Sequence, residues 1–290
     1  MPFLLLSVLC SVLVSVLLKL APRQRIDVGQ AITWNYAVAG ALALWLLDPS
    51  LAALRAPQTP WLALLLLAIA LPSIFLALAR AVRIAGIVRS DVAQRLSLLL
   101  SLAAAFLWFG EQVGTLKLAG LALGLLAIVG ILHRPDRTER SGTGRSAGWP
   151  WLLAVWVGFA LIDVLLKRIA LAGVSSLSSL TLCFALAFAL MLLAQLVRRL
   201  RGHMRFDRRS LFGGLLLGAL NFANILFYVR AHQALPHSPA VVFATMNIGV
   251  VALGALVGIF AFGERTSGWN RAGLALAVLA IGLIAMAAKG

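Results

Sequence analysis

Apolar residues in this chain run in long unbroken blocks, and the charged residues collect in the gaps between them. Ten blocks approach the roughly 20 residues a helix needs to cross the hydrocarbon of a bilayer. They fall at about 3–20, 30–47, 60–81, 89–109, 115–132, 150–168, 176–197, 210–230, 238–262 and 269–287. Within a block the apolar positions are continuous and do not alternate. Helices, and not barrel strands, are therefore what can satisfy the backbone in lipid. The pattern predicts an all-α polytopic membrane protein with ten transmembrane helices.

The fifth and tenth blocks are related. FGEQVGTLKLAGLALGLLAIVGIL at 109–132 and FGERTSGWNRAGLALAVLAIGLIA at 262–285 agree at 12 of 24 positions without a gap. VLLK closes span one at 16–19 and span six at 164–167. Two units of five spans follow, 1–132 and 150–290, joined by the basic linker 133–149. An odd number of spans per unit makes the second unit enter the membrane inverted.

Charge supports the same threading. Of the 25 Lys and Arg residues, 18 lie in connections after odd-numbered spans and 6 on the opposite side, with Arg95 inside a span. The positive-inside rule places the odd connections in the cytoplasm and both termini outside. The net charge of +16 is thus spread over loops and forms no single nucleic-acid-binding patch. With 62% hydrophobic and 12% charged residues, the chain has more apolar surface than a water-soluble core can hide. Cys10 and Cys183, the only cysteines, lie within apolar blocks and suggest neither a disulfide framework nor a metal site. Residues 3–18 read as a retained first span, because no basic segment precedes them.

Polar groups at membrane depth are costly and must face protein or a wet cavity. Ser7, Ser11, Ser15 and Lys19 form one stripe on span one; the serines suit close helix packing, and Lys19 is placed to snorkel. In span four, Ser90, Gln94, Ser97 and Ser101 share a face beside Asp91 and Arg95, four residues apart. That pair reads either as a structural ion pair or as a ligand for an anionic or zwitterionic substrate, and Asp91 is also a candidate coupling residue. Asp163 in span six reads either as a proton-coupling carboxylate or as a partner of Lys167. Asn221, Asn224 and Tyr228 line one face of span eight and are read as cavity residues, with Asn247 and Trp34 as weaker candidates. Trp61, Trp149, Trp151 and Trp269 open spans, as interfacial anchors do.

The Gly-Glu pairs at 110–111 and 263–264, each followed by an AGLAL helix, together with Lys19 and Lys167, resemble the drug/metabolite transporter superfamily and its EamA-type exporters. The resemblance implies that each half is an EamA-like five-helix repeat in a bacterial inner-membrane protein. It also implies that the Gly-Glu pairs are structural. Span four offers Gln94-Arg95 and span nine Met246-Asn247 where that family often has proline.

These features predict a secondary transporter, not an enzyme, that exports small polar or aromatic metabolites such as amino acids by alternating access. Its expected partners are the substrate, the lipid bilayer and protons as coupling ions; no cofactor, metal or nucleic acid is expected, and the assembly is a monomer or homodimer. A lipid-linked-sugar, sugar-phosphate or nucleotide-sugar translocator is the alternative within transport. A membrane-embedded enzyme or scaffold is the alternative outside it, disfavoured because the spans hold no mid-span His and no nucleotide-binding loop. A reporter active only in the cytoplasm, fused after Gly290, should stay silent in cells; activity would reverse the orientation.

Overall fold

The computed structural model describes residues 2–109, 114–132, 148–234, 239–264 and 266–287. These fold into ten α-helices: α1 Pro2–Leu20, α2 Val28–Leu47, α3 Trp61–Ala85, α4 Ile87–Phe109, α5 Thr115–Leu132, α6 Gly148–Leu171, α7 Ser176–Leu200, α8 Arg208–Ala234, α9 Pro239–Phe262 and α10 Gly268–Ala287. A short 3₁₀ turn at Leu51–Arg55 follows α2, and no strand occurs among the described residues. Each helix lies within a few residues of its apolar block. Seven of them, α1, α2, α3, α6, α7, α8 and α9, are long and apolar enough to cross a membrane. The outer surface agrees: Leu5, Trp45, Leu62, Leu107 and Phe260 are all exposed, in a density that water would not tolerate on a monomer. Glu111, the linker 133–147, His237 and Gly290 fall outside the described residues.

Helices α5 and α10 pack on each other at one side of the bundle. The remaining helices surround the interior, with α1 against α8 and α9, α6 against α3 and α4, and α2 against α7 and α8. Small residues permit the closest approaches. At Gly214 and Gly218 of α8, an added Cβ would meet the α2 backbone at Ala31 O (2.7 Å) and Asn35 O (2.8 Å).

Four connections and the start of α6 gather on one face. Lys19 at the end of α1 reaches Glu264, which follows α9 and contacts the start of α4. Asp27, which caps α2, pairs with Arg198 at the end of α7 (3.0 Å). Gln30 bonds Arg205 O and the Asp207 N–H before α8, and Gly148 at the start of α6 lies against Ile84 and Ala85 of α3. The four are the connections after α1, α3, α7 and α9. At the opposite face Ser178 Oγ donates to Ser50 O, joining the first turn of α7 to the connection after α2 (2.8 Å). Helix α1 therefore runs toward the basic face and α6 runs away from it. Burial pushes the Asp27 carboxyl up, but Arg198 and the Gln30 and Gly29 N–H groups outweigh it and hold it below the usual range.

Lys19 does not snorkel, contrary to the expectation from its place at the helix end. Its ammonium donates to Glu264 Oε1 at 2.9 Å and sits 5.7 Å from the Phe262 ring centroid. The same carboxylate accepts the Ile87 N–H at 2.6 Å on Oε1 and the Val88 N–H at 3.1 Å on Oε2. Two of the otherwise orphaned N–H groups at the start of α4 are thus capped by an anion, where the helix dipole favours one.

Gly86 makes that cap possible. Its φ of 95° with ψ of 167° is a conformation side chains avoid, and a Cβ there would strike the Glu264 carboxylate. Gly173 also has a positive φ, 72°, but nothing lies within 4 Å of its Cβ position. Gly86→Ala should therefore cost clearly more than the roughly 1–2 kcal/mol of backbone strain expected for Gly173→Ala. Thermal unfolding of both variants in detergent measures the difference; equal losses would show that the cap is not tight.

Candidate functional site

The polar stripe of α1 is bonded along its whole length. Successive members rise by about 6 Å, and each meets a different partner. Ser7 Oγ donates to Asn224 Oδ1 of α8 at 2.8 Å and lies 3.3 Å from Met246 Sδ of α9. Ser11 Oγ accepts from Arg95 Nη2 of α4 at 2.9 Å. Ser15 Oγ donates to Asp91 Oδ1 of α4 at 2.8 Å. Lys19 closes the series on Glu264 at the basic face. Hydrogen bonds between helices in membranes average only about 0.6 kcal/mol each. Four weak contacts in one register matter more for fixing how α1 sits against α4, α8 and α9 than for total stability.

Beside the Ser7 and Ser11 rungs is a cavity of about 250 Å³, lined by Gln94, Arg95 and Ser97 of α4, Phe159 and Asp163 of α6, Asn224, Ile225 and Tyr228 of α8, and Met246 and Asn247 of α9. Arg95 also donates to Asn247 Oδ1 through Nη1, at 3.4 Å, while its Nε has no partner. Asp163 accepts from Ser101 Oγ across the α4–α6 contact at 2.8 Å and is open to the cavity. A guanidinium and a carboxylate therefore share one chamber with three amides and a phenol. Such a set can hold a small molecule carrying both a carboxylate and an ammonium, because each charge meets its opposite out of bulk water.

Of the residues singled out in the sequence, Gln94, Arg95, Asp163, Asn224, Tyr228 and Asn247 come together here. Asn221 and Trp34 do not. Asn221 Nδ2 donates to Asn35 Oδ1 of α2 at 3.2 Å, and Trp34 packs at 6.4 Å from Phe188 of α7. The cause is the glycine pair of α8: with α2 drawn against Gly214 and Gly218, the Asn221 side of the helix faces α2. Asn224 is turned about 60° further round, toward α1 and the chamber. Asp91 and Arg95 do not form the direct pair their spacing allows; each is held by an α1 hydroxyl instead. Lys167 stands one turn beyond Asp163, outside the residues that line the cavity. Phe159 and Ile225 carried no signal, since an apolar residue in an apolar block looks the same whether it faces lipid or a ligand.

Comparison with known proteins extends this geometry. Residues 1–133 match the EamA-like transporter family. A protein of Haemophilus influenzae, described only as uncharacterised, is 39% identical over 285 residues, covering 96% of this chain and 95% of its own length. A solved crystal structure, 19% identical, aligns with a TM-score of 0.58 over 99% of this chain and 97% of that one, which shows a shared fold. The chain is thus a multi-pass membrane protein of the EamA-like transporter family, within the drug/metabolite transporter superfamily.

Proposed function

We propose that this protein is a secondary transporter that exports small zwitterionic metabolites, amino acids being the simplest, by alternating access between two inverted five-helix halves. The observation that carries the reading is the chamber in which Arg95 and Asp163 face a common space. Its volume of about 250 Å³ is just under the roughly 300–1,000 Å³ typical of drug-sized ligands. That size favours an amino-acid-sized solute over a lipid-linked sugar.

The helix packing supports the inverted arrangement. Exchanging the halves turns the α1–α8 contact into the α6–α3 contact and the α4–α6 contact into the α9–α1 contact, and all four occur. The opposed directions of α1 and α6 and the clustering of the odd connections agree with ten crossings and with a cytoplasmic basic face. On that orientation the Ser15–Asp91 and Lys19–Glu264 rungs lie between the chamber and the cytoplasm. The conformation is closed to the inside.

Purified protein in liposomes, challenged with a labelled amino-acid panel, tests the reading, with no flux of any solute counting against it. Asn224→Ala removes one hydrogen bond worth about 1 kcal/mol and should lower apparent affinity roughly five-fold without loss of expression. Asp163→Asn should weaken transport of solutes bearing an ammonium more than that of carboxylates lacking one. Equal effects on both classes would remove the acid from substrate recognition.

A further inference from the structure

The Ser15 rung differs from its neighbours in the condition of its acid. Asp91 is 3% exposed. Its Oδ1 accepts from Ser15, whereas Oδ2 has no solvent contact and no hydrogen-bond partner. On the α9 side, Gly254 lies so close that a Cβ there would collide with Oδ2. No neighbouring charged group donates to this oxygen. On α4 itself, Arg95 donates to Ser11 and Asn247, and Arg89 donates to Asn270. From α1, Lys19 is held by Glu264. From the α9–α10 connection, Glu264 is taken up by Lys19 and the Ile87 and Val88 N–H groups. Helix α9, Pro239–Phe262, carries no Asp, Glu, Lys, Arg or His.

An anionic carboxylate so placed would keep a charged oxygen sealed in an apolar contact without a donor, whereas a neutral acid leaves only an ordinary polar atom unmatched. We propose that Asp91 is a proton-binding site that controls the basic-face gate: the neutral acid holds α1, α4 and α9 together, and loss of the proton opens them. The proposal rests on the alternating-access reading and names the regulation of that closure. An ionised Asp91 has two ways to find a partner. Water enters between α1, α4 and α9, or Arg95 turns from Ser11 and Asn247 toward the acid. Water entry loosens the Ser15–Asp91 rung that closes the chamber on that face, and the turn of Arg95 releases α4 from α1 at Ser11 and from α9 at Asn247. The proton binds the sealed state more tightly than the open one, so acid populates the sealed state and alkali depletes it.

Spin labels on cysteines replacing Arg83, at the end of α3, and Arg271, at the start of α10, report the gate by pulsed electron resonance in lipid nanodiscs. The native cysteines are buried. In the otherwise unaltered protein one short distance is expected at acid pH, with a longer one growing in as the pH rises. Asp91→Asn should hold the short distance at every pH. Ser15→Ala removes a donor that favours the anion, so its transition should move to higher pH; this variant tests the site even where Asp91→Asn does not fold. A pH-independent distance in the unaltered protein, a pH response that survives Asp91→Asn, or an unmoved midpoint in Ser15→Ala would each overturn the proposal. Absence of flux with the gate response intact counts against the transport reading alone.

Discussion

In hydrocarbon a polar side chain has no water to fall back on, and the four polar positions of α1 place that demand on one face of one helix. The demand is met by three different neighbours: α8 at Ser7, α4 at Ser11 and Ser15, and the turn after α9 at Lys19. Each partner must sit at a set height along α1, so the register of α4, α8 and α9 against it is determined together. Sliding α1 by one residue would turn every rung by about 100° and leave several polar groups facing lipid or apolar side chains. The chamber exists because this register brings Arg95, Asn224 and Asn247 to the same depth.

How much of this could be read beforehand depended on the range of the cause. Helix positions were legible to within a few residues, because hydrocarbon thickness acts locally and uniformly along the chain. The α1 stripe was legible as a stripe for the same reason. Its partners were not: Asp91 lies 76 residues from Ser15, Asn224 lies 217 from Ser7, and Glu264 lies 245 from Lys19. Helix periodicity carries no information at that range. Lys19 shows the result clearly. A lysine at a helix end has a good local reason to snorkel, and only the carboxylate delivered by the turn after α9 overrides it.

Asn221 and Asn224 make the same point within one helix. Both amides belong to one polar face of α8, yet that face straddles two neighbours, and the glycines one and two turns earlier decide which amide goes where. Gly214 and Gly218 let α2 approach until Asn35 meets Asn221. The spacing of small residues set the allocation of the polar ones. A reading of polar residues alone could not divide structural amides from those that face the cavity.

Helix α4 carries the last step of the argument. It offers an acid to a hydroxyl of α1, Asp91 to Ser15, and a hydroxyl to an acid of α6, Ser101 to Asp163. The two contacts use the same pair of groups with the roles exchanged, and the two bond lengths are both 2.8 Å. Their surroundings differ. Asp91 is buried between Ser15 and Gly254, while Asp163 opens on the chamber. Ser15 and Asp163 occupy matching positions in the first and sixth blocks, counted from the shared VLLK. Replacing a serine by an aspartate there is where the second half departs from the first. An assembly of identical halves would give its two faces equal energies. On the proposed alternating-access reading, one acid is dry and the other wet, so the two closures are not equivalent and proton activity has a means to favour one of them.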